Sequence, residues 1–225
     1  MQLAIDTSTD TASLAIVKDH EIVAELTWHC QKNHSQELIP NMSQLLKLTK
    51  LEFKSISHII VARGPGSFNG LRVGVSCAKV LAFSLKIPLV GISTLEAEAY
   101  QHAEIGLPIC SILGAGRSEI SAAIYQKKDN QWHQLSGEHI TTVEALCSKI
   151  TGKTIFCGQI SPTIASQLEI NLKELAVIPS PSSRLRRAGF LAELGLKRLK
   201  AGDFDHPATL QPIYLRRPAI TKSKR

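Results

Sequence analysis

The sequence has few aromatic residues, few cysteines and no long apolar run, and each shortage excludes a class of protein. A helix that spans a bilayer needs about 18 or more consecutive apolar residues, and no segment reaches that length. The amino terminus enters an apolar segment at Leu3 with no basic segment before it, so no signal peptide is expected. We therefore expect a cytoplasmic protein.

The cysteines and histidines are not spaced as metal ligands or disulfide partners. The five cysteines are scattered and form no Cys-x-x-Cys pair, which argues against a disulfide framework and a zinc ribbon. No His-Glu-x-x-His occurs, and His29 and His34 are spaced so that they would not share a helix face. The sequence therefore predicts no metal site.

The common motifs for phosphate binding and nucleophilic catalysis are also missing. No Lys-Ser or Lys-Thr follows the glycines at Gly66 and Gly70, so they do not form a P-loop. The glycine spacing is not that of Gly-x-Gly-x-x-Gly either. Ser67 is not flanked as in the Gly-x-Ser-x-Gly elbow of hydrolases. These absences exclude the most familiar nucleotide-binding and hydrolase sites.

What the chain does contain is typical of a globular protein of 225 residues, 44% apolar and 20% charged. Its net charge of +7 is uneven, because eleven lysines and arginines but only three carboxylates follow from Arg184 onward. Such a basic segment could contact RNA phosphates, or it could be a solvated helix face followed by a frayed tail. The sequence does not decide between these two interpretations of the basic segment.

The apolar pattern predicts an α/β protein with two similar halves. In the first half, strands are predicted at 2–7, 12–17, 21–28, 57–62 and 89–92, and helices at 35–49, 68–86 and 94–102. A second, smaller set begins near residue 109 and ends in an amphipathic helix at 185–200. We divide the chain into 1–105, 106–215 and a basic tail at 216–225. Pro40 predicts an irregular first turn, or a helix start near Ile39.

A glycine-rich turn joins a predicted buried strand to the longest predicted helix. Gly64-Pro65-Gly66 breaks the strand, and Ser67 is a favourable N-cap for the helix that follows. A strand, a turn and a helix amino terminus together can present backbone amides to an anion. The missing lysine nevertheless shifts our interpretation from a ligand toward a partner protein.

Four small residues recur at every fourth position of that helix. Gly70, Gly74, Ala78 and Ala82 form a ridge along which another helix could approach closely. We predict that this ridge, together with Leu38, Met42 and Leu45 of the preceding helix, contacts a partner protein. The alternative is that the ridge packs against the sheet of its own chain.

A polar turn, Asp6-Thr-Ser-Thr-Asp10, lies between the first two predicted strands. This arrangement resembles the phosphate loop of the actin-like ATPase and sugar-kinase superfamily, in which an Asp at the strand end orients a metal. On that resemblance, Asp6, Thr7 and Ser8 would contact a nucleotide or phosphate, and the backbone amides of the glycine turn add Gly64, Gly66 and Ser67 as candidate phosphate contacts. The same residue types also form ordinary turns.

Several motifs in order resemble the TsaB (YeaZ) family. They are Ala4-Ile-Asp-Thr-Ser-Thr-Asp-Thr-Ala-Ser-Leu-Ala15, His34-Ser-Gln-Glu-Leu-Ile-Pro40, Gly64-Pro-Gly-Ser-Phe-Asn-Gly-Leu-Arg-Val-Gly74, Gly91-Ile-Ser-Thr-Leu-Glu96 and Pro212-Ile-Tyr-Leu-Arg216. The resemblance implies an actin-like ATPase (ASKHA, ribonuclease H-like) fold with two related subdomains, each a mixed sheet flanked by helices. Family members serve as the partner subunit in making threonylcarbamoyladenosine (t6A) in tRNAs that read ANN codons.

The resemblance also implies partners. The catalytic partner is the paralogue TsaD, the ATPase TsaE joins in bacteria, and tRNA is met through the complex. The chain would use no cofactor of its own, while the partner subunits use ATP and a metal. The resemblance leaves open whether the chain forms a homodimer when alone. The competing hypotheses are a stand-alone ATP-dependent phosphotransferase or ATPase, and an RNA-binding module that uses the basic segment.

In two stretches this chain lacks residues that occur at the matching positions of its relatives. The paralogue binds metal through a His-x-x-x-His, whose matching positions here are Thr94 and Glu98, and this favours a non-catalytic subunit. The family usually has Asp-Ala-Arg-x-x-Glu at the start of the second half, where this chain has Leu113-Gly-Ala-Gly-Arg-Ser-Glu119. Arg117 and Glu119 remain, and they are predicted to lie at the cleft between the subdomains.

Overall fold

The structure is a computed structural model that describes residues 1–216, and it contains two five-stranded mixed sheets. The first sheet consists of β1 (Gln2–Asp6), β2 (Thr11–Lys18), β3 (Glu21–His29), β4 (His58–Ala62) and β5 (Leu89–Ile92), in the order β3-β2-β1-β4-β5. Strands β1 to β3 pair antiparallel, whereas β4 pairs parallel with both β1 and β5.

The second sheet repeats this pattern. It consists of β6 (Ile109–Gly116), β7 (Glu119–Lys128), β8 (Gln131–Thr141), β9 (Thr154–Gly158) and β10 (Ala176–Val177), in the order β10-β9-β6-β7-β8. Again the consecutive hairpin strands are antiparallel, and the strands reached through helices are parallel. The predicted fold of two related halves is therefore confirmed.

Six α-helices within residues 1–216 cover the sheets. They are α1 (His34–Leu48), α2 (Phe68–Leu85), α3 (Thr94–Tyr100), α4 (Val143–Cys147), α5 (Pro162–Leu172) and α6 (Ala188–Lys200). Helices α1 and α2 pack on one face of the first sheet, and α6 packs on the other face. Helix α3 packs on the second sheet and also contacts α6, so it lies between the two halves. None of the helices within residues 1–216 is both long and apolar enough to cross a membrane.

The position of α6 corrects the predicted domain division. Ala188 and Leu191 of this helix share one apolar cluster with Ala4, Ala15 and Ile60 of the first sheet. The backbone of Asp205 also bonds to Leu89 at the edge of β5. Residues 188–213 therefore return to the first half, because the open face of that sheet needs an apolar cover. The predicted basic tail lies outside the described residues except for Arg216.

Helix α2 begins as predicted, with the hydroxyl of Ser67 accepting from Gly70 N at 3.3 Å, and it ends where Lys86 adopts a left-handed conformation. Helix α1 differs from the prediction, because it runs from His34 straight through Pro40. Helix α6 starts three residues later than predicted, because the backbone at Arg187 is still extended.

Candidate functional site

The small-residue ridge of α2 faces the interior of the chain. All seven residues predicted to contact a partner are buried: Gly70, Gly74, Ala78, Ala82, Leu38, Met42 and Leu45. Cβ atoms built on Gly70 and Gly74 would fall far inside van der Waals contact with Thr7. The prediction that these residues form the partner surface is therefore wrong, because their small size serves the approach of α2 to β1 and its following turn.

Other residues of the same two helices are exposed and apolar. Val80 and Phe83 of α2 are 63% and 78% exposed, and Ile39 of α1 is 48% exposed. Val73 and Cys77 of α2 are only partly buried. Since α1 and α2 pack against each other, these side chains give the outer surface of the helix pair, here called the α1–α2 outer face, an apolar character.

The two turns predicted to bind phosphate are brought together. Ser67 N donates to Ser8 O at 2.7 Å, and a Cβ on Gly66 would collide with the same carbonyl. Thr7 Oγ1 donates to Gly70 O at 2.7 Å, so its hydroxyl is already used. Gly64 N likewise donates to Thr94 Oγ1 at 3.1 Å. The phosphate contact stays a prediction, but these polar groups bond to one another within the chain.

The carboxy-terminal motif lies against the glycine turn. Ile213 N donates to Arg63 O at 2.6 Å, and a Cβ on Gly64 would meet Ile213 O. Gly64 also has a φ of +109°, which favours glycine. Two motifs that are far apart in sequence therefore form one packed unit.

A buried cluster of charges lies between the two halves. Arg186 Nη1 donates to Asp6 Oδ2 at 2.8 Å and to Ser8 Oγ at 3.2 Å. Arg186 Nη2 lies 2.8 Å from Glu98 Oε2. The three charged side chains are between 2% and 7% exposed. Ser8 completes the arrangement, because its amide and hydroxyl both donate to Asp6 Oδ1, at 2.9 Å and 2.6 Å.

One guanidinium thus serves two carboxylates. Burial raises the pKa of Glu98, the nearby positive charge of Arg186 opposes this shift, and the negative charge of Asp6 adds to it. Arginine suits this position because its planar fork can bond two acceptors at once. The arrangement is a cation held between two acids, with the cation supplied by the chain itself.

The segment that carries Arg186 is itself fastened to the second half. Arg184 Nε donates to Pro179 O at 2.9 Å, and Arg184 Nη1 donates to Ile160 O at 3.1 Å. A cavity of about 460 Å³ remains beside this segment, and Glu98 and Arg186 are among the residues that line it. Residues 184–186 are therefore bonded to both halves, through Arg184 to Ile160 and through Arg186 to Asp6.

The residues present do not fit a metal site. Thr94 accepts a hydrogen bond from Gly64 N, and the Glu98 carboxylate is paired with Arg186. No group of three or more histidine, cysteine or acidic side chains in residues 1–216 could hold a metal ion. A divalent cation at this place would have to displace a buried guanidinium.

Arg117 does not lie at the cleft between the halves, so that prediction is wrong. It is exposed in the turn of the β6–β7 hairpin, and the cavity that it lines is built from second-half residues. The pairing of β6 with β7 is irregular at Gly114–Gly116, where a bulge bends the strand just before this turn. Glu119 forms an ion pair with Arg216 and so joins the second half to the carboxy-terminal segment.

Arg186 is not among the site residues predicted from the sequence, where it is only one of the charges in a basic segment. No spacing rule links it to Asp6, and the Arg-Leu-Arg-Arg run around it reads as surface charge. The structure shows that several charges of this segment are used internally. Arg187 pairs with Glu25, Arg198 with Asp203 and Asp205, and Arg216 with Glu119.

Three kinds of comparison place the chain among known proteins. Residues 28–223 match the family model described as TsaD, tRNA N6-adenosine threonylcarbamoyltransferase. The chain is 31% identical to the "tRNA threonylcarbamoyladenosine biosynthesis protein TsaB" of Bacillus subtilis, over 95% of this chain and 93% of that protein. It is 26% identical to the protein of the same name from Escherichia coli, over 95% and 94% of the two chains.

The fold comparison agrees with the sequence comparison. YeaZ from Pseudomonas aeruginosa superposes with a TM-score of 0.81 at 21% identity, over 95% of this chain and 99% of that one. A ROK hexokinase from Thermus thermophilus superposes with a TM-score of 0.53 at 10% identity, over 90% and 99% of the two chains. The second likeness shows only that the fold is shared with actin-like ATPase fold members.

Proposed function

This chain belongs to the TsaB (YeaZ) family, within the wider family that the TsaD model describes, and from that membership we propose that it is a non-catalytic subunit in tRNA t6A biosynthesis. In this proposal it binds and activates TsaD in the cytoplasm. The complex, which TsaE joins, transfers threonylcarbamoyl to N6 of adenosine 37 in tRNAs that read ANN codons. ATP and metal are used by the partner subunits.

The buried Arg186 is the observation that carries the non-catalytic role. In a nucleotide-using relative, an acid at the end of the first strand would orient a metal with its phosphates. Here Asp6 and Glu98 are both paired with Arg186 at 2.8 Å, in an interior from which water is largely excluded. Displacing the guanidinium would leave a buried positive charge without partners, which is costly. The chain therefore keeps the fold of the superfamily, with its central acids already paired with an arginine of its own.

The α1–α2 outer face supports a partner-binding role. Val80 and Phe83 are three residues apart and so neighbours on one side of α2, and apolar side chains that are exposed as a group, rather than singly, are typical of protein–protein contacts. We propose that this face, rather than the buried ridge, contacts TsaD. The ridge contributes indirectly, because it holds α2 close to the sheet and thereby positions the outer face.

Co-purification with TsaD tests the docking surface. Phe83→Asp should abolish co-purification, because a charge at the centre of an apolar contact cannot be solvated. Ile170→Asp is the matched control, since Ile170 is 74% exposed on α5 in the other half. Circular dichroism should show both variants folded. Retention of TsaD by Phe83→Asp, or equal loss in both variants, would refute the assignment.

Reconstitution tests the role itself. Modification of tRNA is measured with threonine, bicarbonate, ATP, TsaD, TsaE and the carbamoyl-adenylate synthase, with and without this chain. We expect t6A formation to depend on the chain. The chain with tRNA and the carbamoyl-adenylate synthase, but without TsaD, should form no t6A. Full modification without the chain, or modification by the chain in place of TsaD, would overturn the proposal.

A further inference from the structure

A second cavity, of about 660 Å³, opens between the halves on the other side of α3. Glu96 of this helix lines it, whereas Glu98 faces Arg186. Residues two positions apart on an α-helix point in roughly opposite directions, so the two acids serve separate sites. The volume falls within the range of about 300–1,000 Å³ that is usual for small-molecule sites.

One wall of this cavity is a rigid aromatic group. The rings of Tyr125 and Trp132 stack in parallel with their centroids 5.5 Å apart, and Tyr100 meets Trp132 edge-on at 5.2 Å. The hydroxyl of Tyr125 accepts from Gln134 Nε2 at 3.2 Å, which further holds this wall in place. Tyr125 is only 2% exposed, so the partly buried indole of Trp132, held in place by Tyr125 and Tyr100, is the apolar surface that this wall offers to the cavity.

The two arginines of the cavity differ in what they bind. Arg198 is fully used, because it donates to both oxygens of Asp203, to Asp205 and to Gly91 O. Arg63 makes a single contact of 3.9 Å with Asp205, and within residues 1–216 its guanidinium donates no hydrogen bond. Its fork is therefore available to a carboxylate.

Two carboxyl groups face the same space. Ser93 Oγ donates to Glu138 Oε1, and Glu96 receives no hydrogen bond of ordinary geometry from the described part of the chain. Burial raises the pKa of both carboxyls. The charge of Glu138 raises the pKa of Glu96 further, while the indole N–H of Trp132 opposes that shift, and the hydroxyl of Ser93 and the charge of Arg63 oppose the shift of Glu138. A positive group between them would relieve this repulsion.

We propose that this cavity binds a zwitterionic α-amino acid. Its carboxylate lies on the guanidinium of Arg63, its ammonium group lies between Glu138 and Glu96, and its side chain packs against Trp132. Arg63 matches the carboxylate of an α-amino acid, the two acids match its ammonium group, and the aromatic wall matches its side chain. This inference stands apart from the proposed function, since it does not depend on TsaD.

Ligand-observed NMR on the full-length chain tests the binding. The probes are mixtures of the standard protein amino acids, followed by the N-acetyl and carboxamide derivatives of each one that binds. We expect at least one amino acid to show saturation transfer, and both of its derivatives to lose it. Absence of binding by every amino acid at millimolar concentration, or equal binding of the derivatives, would overturn the proposal.

Two conservative variants locate the site. Arg63→Gln removes the carboxylate partner, and Glu138→Gln keeps an acceptor for Ser93 while removing the charge. Each should weaken binding about tenfold or more, measured by calorimetry. Glu104→Gln is the control, because Glu104 pairs with Lys127 away from the cavity. Wild-type affinity in both site variants would also overturn the proposal.

Discussion

The guanidinium of Arg186 lies 2.8 Å from the carboxylate of Asp6, a residue 180 positions earlier in the chain. This contact, with its counterpart to Glu98, joins the first strand, the helix between the halves and the segment before α6. It also determines what the cleft can hold, since the acids that could accept a metal are already paired.

Arg186→Ala should destabilise the chain by about 3–5 kcal/mol, because it leaves two buried carboxylates without a positive charge beside them. The adjacent Arg187→Ala is the matched control and should cost less than about 1 kcal/mol. Arg187 is also paired with a carboxylate, that of Glu25, but its side chain is 45% exposed. Urea unfolding followed by circular dichroism measures both. Similar losses in the two variants would contradict the assigned difference.

Gly74→Ala should destabilise the chain, although the same change in an ordinary helix stabilises by about 0.5–1 kcal/mol. The reason is that a Cβ at this position would collide with the Thr7 side chain. Ser76→Ala, on the exposed side of the same helix, should be nearly neutral. Thermal unfolding compares the variants with the wild type. A stabilised Gly74→Ala protein would show that α2 does not pack as described.

Glu96→Gln should stabilise the chain increasingly as pH rises. The folded-state pKa of Glu96 is raised above its ordinary value of 4.5, with burial as the largest cause. The folded state therefore holds this proton more tightly than the unfolded state, and the stability gained from it is lost as pH rises through the raised pKa. Below pH 4.5 the variant and the wild type should differ little.

The measurement is the free energy of unfolding at several pH values from 4 to 8, for the wild type and the variant. Glu104→Gln gives the baseline, because that carboxylate is exposed. A difference between Glu96→Gln and the wild type that shrinks with rising pH would have the wrong sign and would refute the argument.

The isolated chain should not bind ATP with Mg²⁺ at the cleft, because Arg186 occupies the position between the two acids. Calorimetric titration of ATP in the presence of Mg²⁺ measures this directly and separates the proposed subunit from a stand-alone ATPase. Tight binding that depends on Asp6, tested with Asp6→Asn, would favour the ATPase hypothesis. Binding that persists in Asp6→Asn would place the nucleotide elsewhere.

Local patterns predicted most of the fold. The strands, the glycine turn and the helix beginning after Ser67 were predicted because alternation, capping and breaking residues act over a few neighbouring positions. The order of motifs was sufficient to indicate the family. Pro40 is an exception, because it predicted an irregular first turn or a later helix start, whereas α1, held by tertiary packing, continues through it.

The sequence by itself determined the elements, the doubled α/β arrangement and the family. Only the tertiary structure decided which face of α2 is buried, because a row of small residues fits equally well against a partner or against β1. The structure also decided that α6 returns to the first sheet and that Arg186 joins Asp6 and Glu98. The physical reason is that side-chain pairing between distant segments depends on how the sheets pack, which no local spacing records.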